Sequence, residues 1–147
     1  MSAATPSFLL VDGNNVIHST ASLSKLYRKR RASAYSELIK TLEKYQDFSD
    51  DRVVAVFDGI GQRTNESREP GSIQIFYSSQ EASADSIIER LAANNAAQYR
   101  IVVASNDVPV QDAVVAAGGE AISVTALFEL IERSDQALSR FLESRRK

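Results

Sequence analysis

Three short apolar runs in this chain are followed by acids. Phe8 to Val11 leads into Asp12, Val53 to Phe57 into Asp58, and Ile101 to Ala104 into Ser105, Asn106 and Asp107. A fourth acid, Asp85, stands in the first turn of a segment with helical spacing that begins near Ser83, after another apolar run, Ile73 to Tyr77. If the runs are parallel strands, their carboxyl ends share one sheet edge, where open α/β sheets place ligands. The Ser83 helix would start at that edge too. Four carboxylates then converge in one crevice. Packed carboxylates repel, and at least one pKa rises unless a cation is present. A divalent ion removes the repulsion, and oxygen donors favour magnesium or manganese over zinc. Such an ion can lower the pKa of water and neutralise charge on a phosphodiester. The expected chemistry is metal-dependent hydrolysis.

Each acid also has a plainer reading. A strand-end Asp often makes an Asx turn or caps a helix. Asp107, before Val108-Pro109, suits an N-cap with proline in the first turn. Asp85 suits the helix dipole. Only the joint pattern, with all four pointing to one place, favours a site.

Further residues surround this set. Gly13 indicates a tight turn or close backbone approach. Asn15 can orient a carboxylate or a phosphate, or simply serve the turn. Asn106 adjoins Asp107, and Glu81 lies four residues before Asp85 as a further acid or a solvated one. His18 is a weak substrate-contact candidate. Arg28-Lys29-Arg30-Arg31 falls in the connection after the first strand, and Arg63 and Arg68 in the segment after Asp58. These six cations can hold a nucleic-acid backbone. Tyr27 and Tyr77 can stack on bases, although core or rim packing is the commoner role for such residues.

The elements that position these residues follow from periodicity. Ala121 to Val124 is a fifth, weaker apolar run. Continuous runs of this length mark strands buried on both faces. Helical spacing appears from about Ser33 to Tyr45, from Ser83 to Asn95, around Val110 to Val115 before Gly118-Gly119, and from Leu127 to Leu142 with Thr125 as its cap. Strand–helix alternation indicates an α/β sandwich around a mostly parallel sheet of about five strands. Gly59 to Gly71 is polar and aperiodic, which indicates a surface loop.

The chain has 147 residues, with 17 Lys and Arg against 19 Asp and Glu. That length suits one domain over 1–147, with a core of about 7–133 and a last helix to about 143. No cysteine is present and only one histidine, which excludes thiolate zinc sites and leaves little room for a serine–histidine triad. No apolar run approaches a membrane span, and no signal peptide is visible at the N-terminus. The expectation is a cytoplasmic protein, or a stromal one had a plastid transit peptide been removed. Oligomeric state stays open. Setting aside Asp12, Asp58, Glu81, Asp85 and Asp107 leaves 14 acids against 17 cations, so the remaining surface is mildly basic.

Phe8 to Ile17, with its Asp12-Gly13-Asn14-Asn15 core, resembles the opening motif of NYN domains, a branch of the PIN-like nuclease superfamily. Val53 to Asp58, Ser83 to Glu89 and Val102 to Asp107 follow in that family's order and rough spacing. The group it is most similar to is the YacP-like NYN ribonucleases, over about residues 7 to 133. The resemblance implies a PIN-like three-layer α/β/α fold and Mg2+- or Mn2+-dependent endoribonuclease activity on RNA. It implies acidic roles for Asp12, Asp58, Asp85 and Asp107, with metal binding expected at Asp12, Asp85 and Asp107 and support from Asn15. Messenger RNA is the implied substrate, and the ribosome a candidate partner. Asn14 stands where the family often has an aromatic residue, and Asn106 where serine is common. Some PIN-like domains have lost catalysis, so an inactive RNA- or ribosome-binding module is the alternative. A receiver-like phosphotransfer domain fits less well, since residues 100–125 contain no lysine.

Overall fold

The β-branched runs become the strands of one sheet in the computed structural model, which describes residues 7–59, 66–67 and 73–145. The strands are β1 (Ser7–Asp12), β2 (Asp51–Phe57), β3 (Glu66–Ser67), β4 (Gln74–Tyr77), β5 (Arg100–Ala104) and β6 (Glu120–Ile122). The helices are α1 (Gly13–His18), α2 (Ala21–Lys29), α3 (Arg31–Asp47), α4 (Ala84–Asn95), α5 (Val108–Ala116) and α6 (Val124–Arg145). Five strands run parallel in the order β4-β2-β1-β5-β6, and β3 adds antiparallel to β4 at the edge. The expected α/β fold with about five mostly parallel strands is therefore present.

Alternate strand residues face opposite layers. Leu9, Val11, Ala55, Phe57 and Ala104 pack with residues of α1, α2, α3 and α6. Leu10, Val54, Val56 and Val103 pack with Ile88 and Ala92 of α4 and Val110 and Val114 of α5. The buried stripe of α3 is Ala34, Leu38, Leu42 and Tyr45, close to a fourfold repeat.

Several local expectations are corrected. The first connection holds two short helices before α3. α1, at six residues, is too short to show a period of its own. Glu66–Ser67 forms a strand inside the segment assigned to loop, held by pairing with β4 rather than by its own sequence. The cap of α6 is Ser123, whose Oγ accepts from the Ala126 amide at 3.0 Å, not Thr125. Gly118 ends α5 as expected, at φ +103°.

Gly13 is set by close approach. A Cβ there would lie 2.5 Å from two ring carbons of Phe57 and 2.8 Å from the Val56 carbonyl. Phe57 is fully buried and stacked on Tyr35, so its ring has nowhere to swing. Gly13→Ala is expected to cost about 1–3 kcal/mol through overpacking. Thermal unfolding should show it, at roughly 2–4 °C per kcal/mol.

Candidate functional site

β1 lies at the centre of the sheet, with β2 on one side and β5 on the other. The chain builds outward through β2 and β4, then returns to the other flank of β1. Such a reversal of strand order opens a crevice at the carboxyl ends of the strands. Asp12 ends β1 at this point. Asp58 follows β2, Asp107 follows β5, and Asp85 lies in the first turn of α4.

Asp12 is the buried member of the set, at 5 % exposure. Its pKa is pushed up to about 6. Burial is the main cause, and the charges of Asp85, Asp107 and Asp58 add to it. A hydrogen bond from Ser105 opposes the rise. The pKa of Asp85 is raised too, by partial desolvation and then by Asp107, Glu89 and Asp58. Asp12 and Asp85 therefore both sense the charges of Asp58 and Asp107 across the crevice.

The capping readings can be tested against side-chain geometry. Asp12 and Asp107 occupy the N-cap positions of α1 and α5, yet neither side chain makes a capping hydrogen bond. The cap of α4 is Ser83, whose Oγ accepts from the Ser86 amide at 3.1 Å, so Asp85 has no capping duty.

Hydrogen bonds from distant segments position the acids. Ser105 is wholly buried and donates its hydroxyl to Asp12 Oδ2 at 2.8 Å. Ser105 Oγ in turn accepts from the Asp107 amide at 3.0 Å. Asn15 Oδ1 accepts from the Asn106 amide at 2.8 Å, and Asn106 Oδ1 accepts from the Val124 amide at 2.9 Å. Asn15 and Asn106 thus tie α1, the β5–α5 turn and the start of α6 together.

A second network fixes Asp58. Asn14 Oδ1 accepts from the Asp58 amide at 2.8 Å, while its Nδ2 donates to Tyr35 Oη at 3.1 Å. The Asp58 carbonyl accepts from Tyr35 Oη at 2.7 Å and from Arg31 Nη2 at 3.1 Å. Asn14 therefore fills a buried structural post.

The remaining candidates separate. Glu81 is exposed in the turn before α4, and the carboxylate acting on Asp85 from its own helix is Glu89, one turn on. Arg28 and Lys29 end α2, and Arg30 breaks the helix at φ −157°, ψ 109°. All three are exposed, and only Arg31 turns to the Asp58 network. These four cations lie at the junction of α2 and α3, within the connection that follows β1. Arg63 and Arg68 lie outside the described residues. Tyr27 packs edge-on against His18, with ring centroids 4.8 Å apart. Ser105 and Tyr35 escaped the reading of the sequence. A serine directly after an apolar strand, two residues before an acid, was the available signal for Ser105.

Among the described residues, no group of three or more His, Asp or Glu side chains is drawn together closely enough to form a ready metal cage. The donor chemistry nevertheless fits a divalent cation. The groups acting on Asp12 are one hydroxyl and three carboxylates, so a positive charge among them would reverse the repulsion.

The chain belongs to the YacP-like NYN domain family, whose sequence model matches residues 9–147. This family is a branch of the PIN-like nucleases, hydrolases that generally use divalent metals. A particular relative is YacP of Bacillus subtilis (strain 168), 29% identical over 134 residues, covering 90% of this chain and 79% of the relative. Two crystal structures of that Bacillus subtilis protein, also called Rae1, are similar in fold. One is a point variant with TM-score 0.78 and 27% identity, covering 93% of this chain and 81% of the other. The second has TM-score 0.75 and 28% identity, covering 93% and 80%. No helix among the described residues is long and apolar enough to cross a membrane.

Proposed function

We propose that this chain is a metal-dependent endoribonuclease that hydrolyses phosphodiester bonds in RNA, with messenger RNA at the ribosome as its expected setting. One observation carries the reading. A buried carboxylate, Asp12, shares the switch-point crevice with three more acids, and burial, with their charges added to it, raises its pKa to about 6. Burying such a set without a cation is costly.

Asp12, Asp85 and Asp107 are the residues assigned to hold Mg2+ or Mn2+. When bound, the ion supplies Lewis-acid stabilisation of charge on the phosphodiester. The chain's own groups do the rest. Ser105 holds Asp12 in place and keeps its pKa from climbing further. Asn14 and Tyr35 fix the backbone of Asp58 at the rim. Asp58 is the carboxylate assigned to orient the attacking water. The exposed cations Arg28, Lys29 and Arg30 suit the RNA backbone, which is held without regard to sequence.

The test uses purified protein and an internally labelled RNA. With manganese, internal cuts are expected; chelation should stop them, and Asp85→Asn should lower the rate by at least about tenfold. RNA that is bound but never cut under these conditions would overturn the reading in favour of a binding module.

A further inference from the structure

A second feature adjoins the acids. A cleft of about 540 Å3 opens beside Asp58, within the roughly 300–1,000 Å3 range of small-ligand pockets. One wall is a single face of α3, carrying Arg31, Tyr35, Lys40 and Glu43. The other wall is the carboxyl edge of the sheet, with Asp58 and Tyr77. β2 and β4 bring these two together, since Phe57 pairs with Tyr77.

The lining is chemically mixed. Tyr35 stacks on Phe57 with centroids 4.4 Å apart, and Tyr77 lies 6.5 Å from Tyr35. The Arg31 guanidinium sits 5.6 Å over the Tyr35 ring while donating to the Asp58 carbonyl. Two cations face two carboxylates, so the cleft is no site for a bare anion. An aromatic floor, a planar cation and a hydrogen-bond-accepting carboxylate suit a ligand with a flat π face, a polar edge and a phosphate. That is the chemistry of a nucleotide. Bases stack on aromatic side chains and arginine planes whatever their identity, and a carboxylate accepts from an exocyclic amine.

We infer that this cleft is a nucleotide subsite, which takes one unpaired residue of the RNA next to the bond presented to Asp12, Asp85 and Asp107. Tyr77 and Arg31 hold the base plane, Glu43 its polar edge and Lys40 the adjoining phosphate. The inference rests on the nuclease reading, because Asp58 belongs to both sites. The subsite feeds an unpaired strand toward the acids from the α3 side. A paired base cannot enter, since its edge is occupied and its faces are stacked.

The test measures binding of a 5′-fluorescein RNA hexanucleotide by anisotropy in EDTA, so that cleavage plays no part. Base stacking on one aromatic is worth about 5- to 150-fold in affinity. Tyr77→Leu should weaken binding by about tenfold, while Tyr77→Phe, which keeps the ring, should stay within about twofold of wild type. Lys40→Glu should weaken it by at least about threefold. Lys40 is exposed on α3, so this variant decides the matter if Tyr77→Leu fails to fold. Wild-type affinity in both Tyr77→Leu and Lys40→Glu would overturn the subsite. Cleavage by wild type in manganese is scored separately: cutting with unchanged variant affinities removes the subsite alone. Absence of cutting with weakened variant affinities removes the nuclease reading alone.

Discussion

Asp12→Asn is expected to lower metal-dependent RNA cleavage by at least about a hundredfold and, in the same protein without metal, to raise its stability. The first effect follows from losing a carboxylate that would hold the ion, which stabilises transition-state charge by several kcal/mol, at 1.36 kcal/mol per tenfold. The second follows from burial. Asp12 has a pKa of about 6 in the fold against 3.8 in a model peptide. Folding therefore favours its neutral form. Below pH 4 the acid is protonated in both states and costs nothing. As pH rises from about 4 to 6, the unfolded chain releases its proton first, and stability falls. Above pH 6 the full cost is present, on the order of 3 kcal/mol. Asparagine is nearly isosteric, carries no charge, and keeps an oxygen for the Ser105 hydroxyl. Its metal-free Tm at pH 7.5 should exceed that of wild type by several degrees. Manganese should raise the Tm of wild type, because a ligand for the folded state stabilises it, and should raise that of the variant far less. An unchanged metal-free Tm together with full cleavage would remove Asp12 from the site.

This inverse relation is what distinguishes a site acid from a structural one. An Asp kept for a cap or an Asx turn stabilises the fold, and its loss costs about 1 kcal/mol. Asp12 and Asp107 stand at cap positions without making the bond. Their placement follows from the parallel sheet: Asp12 ends β1 at the switch point, and Asp107 ends the short turn that leads from β5 into α5.

The sequence conveyed the scaffold well because burial on both faces leaves a strong signal. Leu9-Leu10-Val11 and Val53 to Phe57 are apolar at every position, as strands covered by helices on two sides must be. The acids were legible for a related reason, as abrupt polar ends to apolar runs. What holds the acids was not. Ser105 meets Asp12 across 93 positions, Asn14 meets Asp58 across 44, and Tyr35 reaches Asp58 across 23. No local period encodes such contacts. α1 is hidden because six residues hardly complete two turns, and β3 because two residues owe their conformation to a partner strand. The basic run is divided by a backbone feature that no local period encodes. Adjacent in sequence, Arg28 to Arg31 are split by the extended backbone at Arg30, which sends Arg31 alone to Asp58.

Ser105→Ala carries the second large effect, and it separates positioning from metal holding. The Ser105 hydroxyl donates to Asp12 and accepts from the Asp107 amide, so one buried oxygen sets the spacing of two acids. Its loss leaves a buried carboxylate without its hydrogen bond and an amide at the start of α5 without an acceptor. Such losses cost about 1–3 kcal/mol, and support of this kind for metal ligands is typically worth about 10–100-fold in affinity or activity. The Ser105 hydrogen bond lowers the Asp12 pKa, so its removal should move that pKa further above 6. The acidic limb of the cleavage–pH profile should shift upward with it, and more manganese should be needed for half-maximal rate. A residue that only filled space would change neither. In the Asp12→Asn background no buried charge is left without its hydrogen bond, so the stability effects of the two substitutions should fail to add by at least about 0.5 kcal/mol. Additive effects on stability and an unmoved pH limb would mean that Ser105 merely packs, and that some other group sets the charge state of Asp12.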